Sequence, residues 1–402
     1  MELYLQFGYG MKQLSIDLAE KWGKATVILS PRDIKENSLW KWCKEFTSHN
    51  INLLFDPQCY YPKQNHKNLS MYGYHNLVNY TNIGKKDNMT KEEQLLIKIK
   101  EYNDIANTIE YIVPSIMQSE IDNDWFIKNK LLVDKSKEIL VDKARIMTIA
   151  LPSSALLGSN EITEKILENT EHWDIDGYYV VAYHPENKYL VDDEITWMTN
   201  LMDLCAGLKL QRKKVILGYA NHQFLSFAPT KIDAIASGTW LNVRKFDNKF
   251  KDEDSEPKQR NIWYYYPQAL SEYKISFLDL AFNNGILNRM KPDSNLNDEY
   301  ADVLFNGALP TSTSYSERES HRHYLNSLKH QIDILNKASF NESIIAQENL
   351  LETAQRNLEF IRKFGILGQD RDFKNCIDIN LAALQVLKNN RGFILEREWN
   401  NI

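Results

Sequence analysis

Short apolar runs recur along the chain, and each ends in a polar cluster, most of them containing glycine or proline. Runs at 3–7, 26–29 and 51–55 end in Gly8-Tyr9-Gly10, Ser30-Pro31-Arg32-Asp33 and Asp56-Pro57-Gln58. Runs at 146–151 and 178–182 end in Pro152-Ser153-Ser154 and Tyr183-His184-Pro185-Glu186. Those at 215–217 and 234–236 end in Gly218-Tyr219-Ala220-Asn221-His222-Gln223 and Ser237-Gly238-Thr239-Trp240. One more, at 109–113, ends at Pro114-Ser115. Between and after them lie stretches with helical period, at 11–22, 37–49, 92–108, 119–139, 160–172, 194–210, 222–229 and 267–284. This alternation predicts parallel strands joined by crossover helices. Eight such units fit a (β/α)8 barrel of TIM type better than an open sheet. In that fold the strand-end clusters converge on one face, and that face carries the chemistry.

Two connections are long. One, roughly 57–90, holds Tyr60, Tyr61, Tyr72, Tyr74 and Tyr80 with His66 and His75. The other, roughly 245–266, ends in Trp263-Tyr264-Tyr265-Tyr266. Such loops serve as lids or binding loops, or they pack their aromatics on the barrel. From about 315 only helical period remains. Ser316-x-x-Glu319 is a capping-box pattern, and Leu325, Leu328, Ile332 and Leu335 follow at three- and four-residue steps. Leu351, Ala354, Leu358 and Ile361 repeat the pattern, Gly365 stands where a helix-ending glycine would, and a third helix covers about 373–390. The expected fold is α/β: a (β/α)8 TIM-type barrel over 1–290, a linker over 291–314 and a C-terminal α-helical domain over 315–402. The apolar stripes of those helices read as core, and the rest of their surface as a place for a protein partner.

Composition narrows the function classes. The formal net charge of -6 over 402 residues argues against a generally basic nucleic-acid binder, though not against a local basic patch. No apolar stretch approaches the roughly 20 residues of a membrane span. The N-terminus lacks the basic region and cleavage site of a signal peptide, so the expected location is cytoplasmic. Cys43, Cys59, Cys205 and Cys376 have neither zinc-ligand nor redox spacing, which fits reduced thiols. There is no glycine-rich dinucleotide fingerprint and no phosphate loop, and neither a cofactor nor a metal is expected. The basic run 209–214 precedes the seventh strand, which puts it on the face away from the site.

The polar residues at strand ends supply the candidate chemistry. Asp56, after the third strand, is placed as base, nucleophile or hydrogen-bond acceptor; the plainer reading is a turn aspartate before Pro57. Glu186, after the sixth, would pair with it across the barrel mouth. Two opposed carboxylates serve glycosidic cleavage, one protonating the leaving group while the other attacks or stabilises the cation. The plainer reading of Glu186 is a solvated loop residue. His184 is a general acid–base candidate or a hydrogen-bonded structural group. Asn221, His222 and Gln223 suit recognition of a planar base or sugar, and Asn221 equally suits a helix N-cap. Trp240, Asn242 and Arg244 follow the eighth strand. Arg244 would hold a phosphate or carboxylate, or close a salt bridge across the barrel.

The order of these segments resembles the tRNA-guanine transglycosylase superfamily, most clearly over 146–244. Asp176-Gly177-Tyr178 resembles its Asp-Gly-Tyr strand start, and Pro185-Glu186 its Gly-Glu strand end. Ile216-Leu217-Gly218-Tyr219-Ala220 resembles a Leu-Met-Gly-Val-Gly strand, and Ser237-Gly238-Thr239-Trp240 a Gly-Ile-Asp stretch. Asp56-Pro57-Gln58-Cys59-Tyr60-Tyr61 resembles the family's Asp-Ser-Gly-Gly-(Phe/Tyr)-Gln. The resemblance implies a (β/α)8 barrel acting on the glycosidic bond of a nucleobase or nucleoside, with Asp56 as the base-binding carboxylate and Tyr60 as the stacking ring. The helical part is similar to divergent members linked to mobile elements and phage defence. The family's nucleophilic aspartate falls at Val243, its base-reading glutamine at about Pro152, and its zinc motif is missing. Two alternatives stay open: a catalytically silent barrel serving as the nucleic-acid- or protein-binding subunit of a defence complex, and a carbohydrate-active barrel hydrolase.

Overall fold

A computed structural model describes residues 1–61, 66–79, 89–186, 190–247, 250, 261–296 and 298–402. Eight strands form one sheet: β1 (Glu2–Gln6), β2 (Ala25–Leu29), β3 (Ile51–Phe55), β4 (Tyr111–Val113), β5 (Arg145–Leu151), β6 (Gly177–Ala182), β7 (Lys214–Leu217) and β8 (Ala234–Ser237). Every ladder is parallel, in the order β3-β2-β1-β8-β7-β6-β5-β4. The sheet curls until β3 and β4 meet. There the Ile109 N–H donates to the Leu53 carbonyl at 2.9 Å, and no described ladder continues the contact. The barrel is therefore nearly closed.

The two-residue period of the strands separates two cores. Tyr4, Ile28, Leu54, Ile112, Ile146, Ala150, Tyr179, Val181, Ile216, Ala234 and Ala236 fill the lumen. Their neighbours Leu5, Val27, Leu53, Val113, Ile149, Val180, Leu217 and Ile235 face outward to the helices. The crossover helices are α1 (Lys12–Trp22), α2 (Leu39–Ser48), α3 (His75–Asn79), α4 (Lys91–Ala106), α5 (Asn123–Ile139), α6 (Ser153–Leu157), α7 (Glu161–Glu171) and α8 (Ile195–Leu210). Side chains set their starts: Thr90 and Glu93 form a capping box on α4, and Asp122 accepts the Trp125 N–H on α5.

The helix expected after β7 is a 3-10 stretch instead, His222–Thr230, with Pro229 inside it and every residue buried. Proline lacks the N–H that would continue an α-helix. The region 267–284, read above as one helix, also differs. Trp263–Tyr266 pairs antiparallel with Ser271–Lys274 as β9 and β10, Pro267–Ala269 between them is a 3-10 turn, and Ile275–Asn283 is the α-helical part, as α9. Three of the four residues of β9 and of β10 are buried, and Ser271-Glu272-Tyr273-Lys274 is mostly polar, so neither strand shows the alternation that marks a strand. A short α10 (Glu299–Asp302) leads to three long helices: α11 (Glu317–Leu335), α12 (Phe340–Arg362) and α13 (Ile377–Glu398).

Those last helices wrap the barrel where the seventh crossover helix is missing. α13 lies along α8, and Arg391 donates to both oxygens of Asp203 at 2.7 and 2.6 Å. Trp22 of α1 donates to Asn326 of α11 at 3.0 Å. Ser226 of the 3-10 stretch donates to Asn380 at 2.8 Å and accepts from Gln347 at 3.3 Å. One continuous apolar core joins Leu217, Phe227, Leu328, Leu351 and Leu387. Gly365 ends the second of the three with φ +74. At the other end of the barrel the basic run is paired within the chain, Lys209 with Asp233 at 2.8 Å and Lys214 with Glu110 at 2.6 Å. All four cysteines are buried and free. Among the described residues no helix is long and apolar enough to cross a membrane.

Candidate functional site

Asp56 follows the last residue of β3, and its N–H continues the ladder to the Leu29 carbonyl at 3.2 Å. That places its carboxylate at the C-terminal mouth of the lumen, 1% exposed. Three donors converge on it. The Tyr60 hydroxyl donates to both oxygens at 3.1 and 3.0 Å, the Tyr219 hydroxyl at 3.1 Å and the Gln58 backbone N–H at 2.9 Å. Burial pushes its carboxyl up to about 6, and these hydrogen bonds only partly offset the shift. The neighbouring phenols of Tyr60, Tyr179 and Tyr219 are held well above their ordinary range, first by burial and then by the Asp56 charge.

The ring of partners extends across the mouth. The Gln58 amide donates to Ser30 Oγ at 2.9 Å and to the Tyr219 hydroxyl at 3.1 Å, and accepts the Arg32 N–H at 2.9 Å. Tyr179 donates to Gln6 Oε1 at 2.8 Å. Gly218 makes room for it, since a Cβ there would lie 2.5 Å from the Tyr179 hydroxyl. Gln58 and Tyr219 both hold φ +53, a left-handed conformation unusual outside glycine. Strain of this kind gathers at functional sites. Above the network Phe246 and Phe250 close the mouth, with ring centres 4.9 Å apart and Phe246 4.9 Å from Tyr219 and 5.0 Å from Tyr60.

The other candidates are placed elsewhere. Glu186 is exposed, whereas the carboxylate expected to be its partner is buried. His184 is buried against Asp192, Nδ1 to Oδ2 at 2.5 Å, and its backbone N–H donates to the Phe246 carbonyl at 2.9 Å. Lys245 Nζ lies 3.4 Å from the other Asp192 oxygen. Burial raises the Asp192 carboxyl, but the His184 and Lys245 charges outweigh it and leave it below the ordinary range. Asn221 caps the 3-10 stretch by accepting the Gln223 N–H and donates to the carbonyls of Leu190 and Arg244. Gln223 exchanges two hydrogen bonds with the Asp192 backbone, at 2.7 and 2.8 Å. These amides hold the 190–192 segment in place.

Arg244 and Arg371 bracket Glu272 of β10 in a buried cluster between barrel and C-terminal helices. Arg371 lies 2.6 Å from Glu272 Oε2, and the Arg244 guanidinium lies 3.7 Å over the Tyr324 ring. Burial raises the Glu272 carboxyl, yet the two guanidiniums drive it well below the carboxylate range. His222 stands 4.0 Å from Glu272, fully buried, and desolvation lowers it to about 3. Trp240 is half-buried and donates to the Tyr9 carbonyl at 2.8 Å; Asn242 is half-buried beside it. Val243 is buried against Gly238, where a Cβ would meet its Cγ2 at 2.5 Å.

Of the residues singled out in the sequence, the structure joins Asp56 to Tyr60, His222 to Arg244 through Glu272, and His184 to Asn221 and Gln223 through the segment around Asp192. Within the long loop, Tyr72 and Tyr74 pack with Phe55 and Tyr102, while Tyr80 lies outside the described residues. Sequence reasoning missed Tyr179, Tyr219 and Gln58 around Asp56, and Asp192 and Glu272 as buried carboxylates. The one usable signal was Gly218, a glycine at a strand end where the backbone must clear a large side chain.

Fold and site together define a TIM-type barrel with a protonatable carboxylate in a cage of phenols at its C-terminal mouth. No protein-family model matches this chain, and no curated protein sequence does.

Proposed function

We propose that this barrel acts on the glycosidic bond of a nucleobase or nucleoside, in the manner of a divergent transglycosylase-like enzyme, with Asp56 as its acid–base group. The observation that carries this reading is the Asp56 carboxyl, buried at the active face of the fold and held near 6. A group poised there is protonated in a useful fraction near neutral pH and can give its proton to a departing ring nitrogen. The base leaves carrying that proton as the carbon–nitrogen bond breaks, and water adds at the sugar carbon and gives up a proton to the Asp56 carboxylate, which restores the acid. Tyr60 and Tyr219 stabilise the carboxylate in the interval. Val243 at the position of the family's nucleophile, and Glu186 on the surface, favour direct hydrolysis over a covalent enzyme intermediate.

The test is release of free base from nucleosides and from single-stranded oligonucleotides by the full chain. Asp56→Asn abolishes release while circular dichroism stays that of the wild type and the variant is no less stable. Full activity in that variant overturns the reading. One observation favours the silent-barrel alternative: Phe246 and Phe250 cover the mouth, Asn221 and Gln223 are hydrogen-bonded within the chain, and Arg244 is paired with Glu272. That alternative expects no base release from any substrate and a partner that co-purifies with the intact chain.

A further inference from the structure

A cleft opens at the same end of the barrel, between the β1–α1 loop, the loop after β8 and the start of α11. Its volume is about 190 Å³, and Tyr9, Gln13, Thr239, Trp240, Arg318 and His321 line it. Pockets for drug-sized ligands run to roughly 300–1,000 Å³, so this one suits a single ring system. Two aromatic side chains flank it. Tyr9 is 70% exposed, and Trp240 is fixed by its hydrogen bond to the Tyr9 carbonyl and by a ring contact with His321 at 5.2 Å.

Polar residues border the same space. Thr239 is 5% exposed, yet its hydroxyl has no hydrogen-bond partner among the described residues. Burial, and then the charge of Arg244, lowers His321 to about 4, so at neutral pH its ring offers one donor and one acceptor. Arg318 is exposed in the first turn of a 19-residue helix, where the positive end of the helix dipole adds to its charge. The acid Glu317 also borders the cleft.

We propose that this cleft is a nucleotide subsite: Tyr9 and Trp240 take the planar base, Thr239 and His321 meet its polar edge, and Arg318 at the start of α11 takes the phosphate. In naming a nucleotide it rests on the nucleobase reading of the barrel, and the experiment separates the two. The full chain is titrated calorimetrically with adenosine and guanosine 5′-monophosphates, the matching nucleosides, and a short mixed-sequence single strand.

The expected result is saturable binding of the monophosphates, tighter than of the nucleosides. Tyr9→Ala weakens it about tenfold, in line with roughly 1–3 kcal/mol per stacked base. Arg318→Ala removes the advantage of monophosphate over nucleoside. Asp56→Asn leaves both affinities unchanged, so the subsite can stand even if base release is never seen. Binding of the strand alone, with the same response to Tyr9→Ala, identifies a nucleotide within a chain. Binding that Tyr9→Ala and Arg318→Ala leave untouched, binding lost only in Asp56→Asn, or no binding of either probe overturns the proposal. Tyr9 is exposed, so its truncation carries no folding penalty that would mimic the effect.

Discussion

Asp56 and Glu272 are both carboxylates buried to within a few per cent, and their surroundings drive them in opposite directions. Asp56 has only neutral partners, two phenols and a backbone amide, so desolvation wins and its carboxyl rises to about 6. Glu272 lies between the guanidiniums of Arg244 and Arg371, whose charges overcome the same desolvation and hold it ionised. Neutral donors partly compensate a buried charge, whereas opposite charges fix it. The first arrangement leaves a proton that can move at neutral pH. The second locks the eighth-strand loop to the C-terminal helices. Arg244, a strand-end residue with a substrate-binding look, belongs to the lock.

The largest effect expected from breaking this contrast is at Glu272. Glu272→Gln leaves two guanidiniums with a neutral partner in a buried site, and the loss is about 3–5 kcal/mol, read from urea unfolding at pH 7. The penalty shrinks as pH falls below the ordinary glutamate range, because the depressed carboxyl of the folded state contributes stability only above the unfolded value.

Asp56 gives the opposite slope. Its folded value near 6 lies above the unfolded value of roughly 3.9, so between them the unfolded chain releases its proton first and wild-type stability falls as pH rises. The fall amounts to about 3 kcal/mol in total. Asp56→Asn lacks it, so urea midpoints of the two proteins diverge in the variant's favour from pH 4 to 6. A smaller change follows at Tyr219. Tyr219→Phe removes one donor to the carboxylate and costs about 1 kcal/mol, while the midpoint of Asp56 moves further up. Smallest is Glu186→Gln. A surface substitution shifts stability by no more than about 0.5 kcal/mol, and base release continues unchanged. Loss of release in Glu186→Gln would restore the carboxylate pair.

Much of the fold was legible because strand ends carry their own punctuation. Asp56-Pro57 and Gly218-Tyr219 mark the ends of β3 and β7, and the predicted strands lie within a residue or two of the observed ones. The β9–β10 hairpin was not legible. Tyr264 to Tyr266 are buried in succession against the last helices, and a run covered on both faces carries no period. Of the site, Asp56 and Tyr60 lie four residues apart in one loop, so a local pattern found them. Tyr219 and Tyr179 meet Asp56 across the lumen from β7 and β6, and nothing in their neighbourhoods announces that. Asn221 read correctly as a cap because capping is local; Asp192 did not stand out within Asp192-Asp193-Glu194, since its partners His184 and Lys245 are brought to it by the barrel.

The most direct test is the titration of Asp56 itself, followed by carbon-13 NMR of its side-chain carboxyl in the intact chain, with Asp56→Asn used to assign the signal. A caged, desolvated acid titrates with a midpoint near 6. A midpoint at or below roughly 3.9, the ordinary aspartate value, would mean a fully ionised structural carboxylate and would contradict the proposal that Asp56 is the proton donor of the barrel.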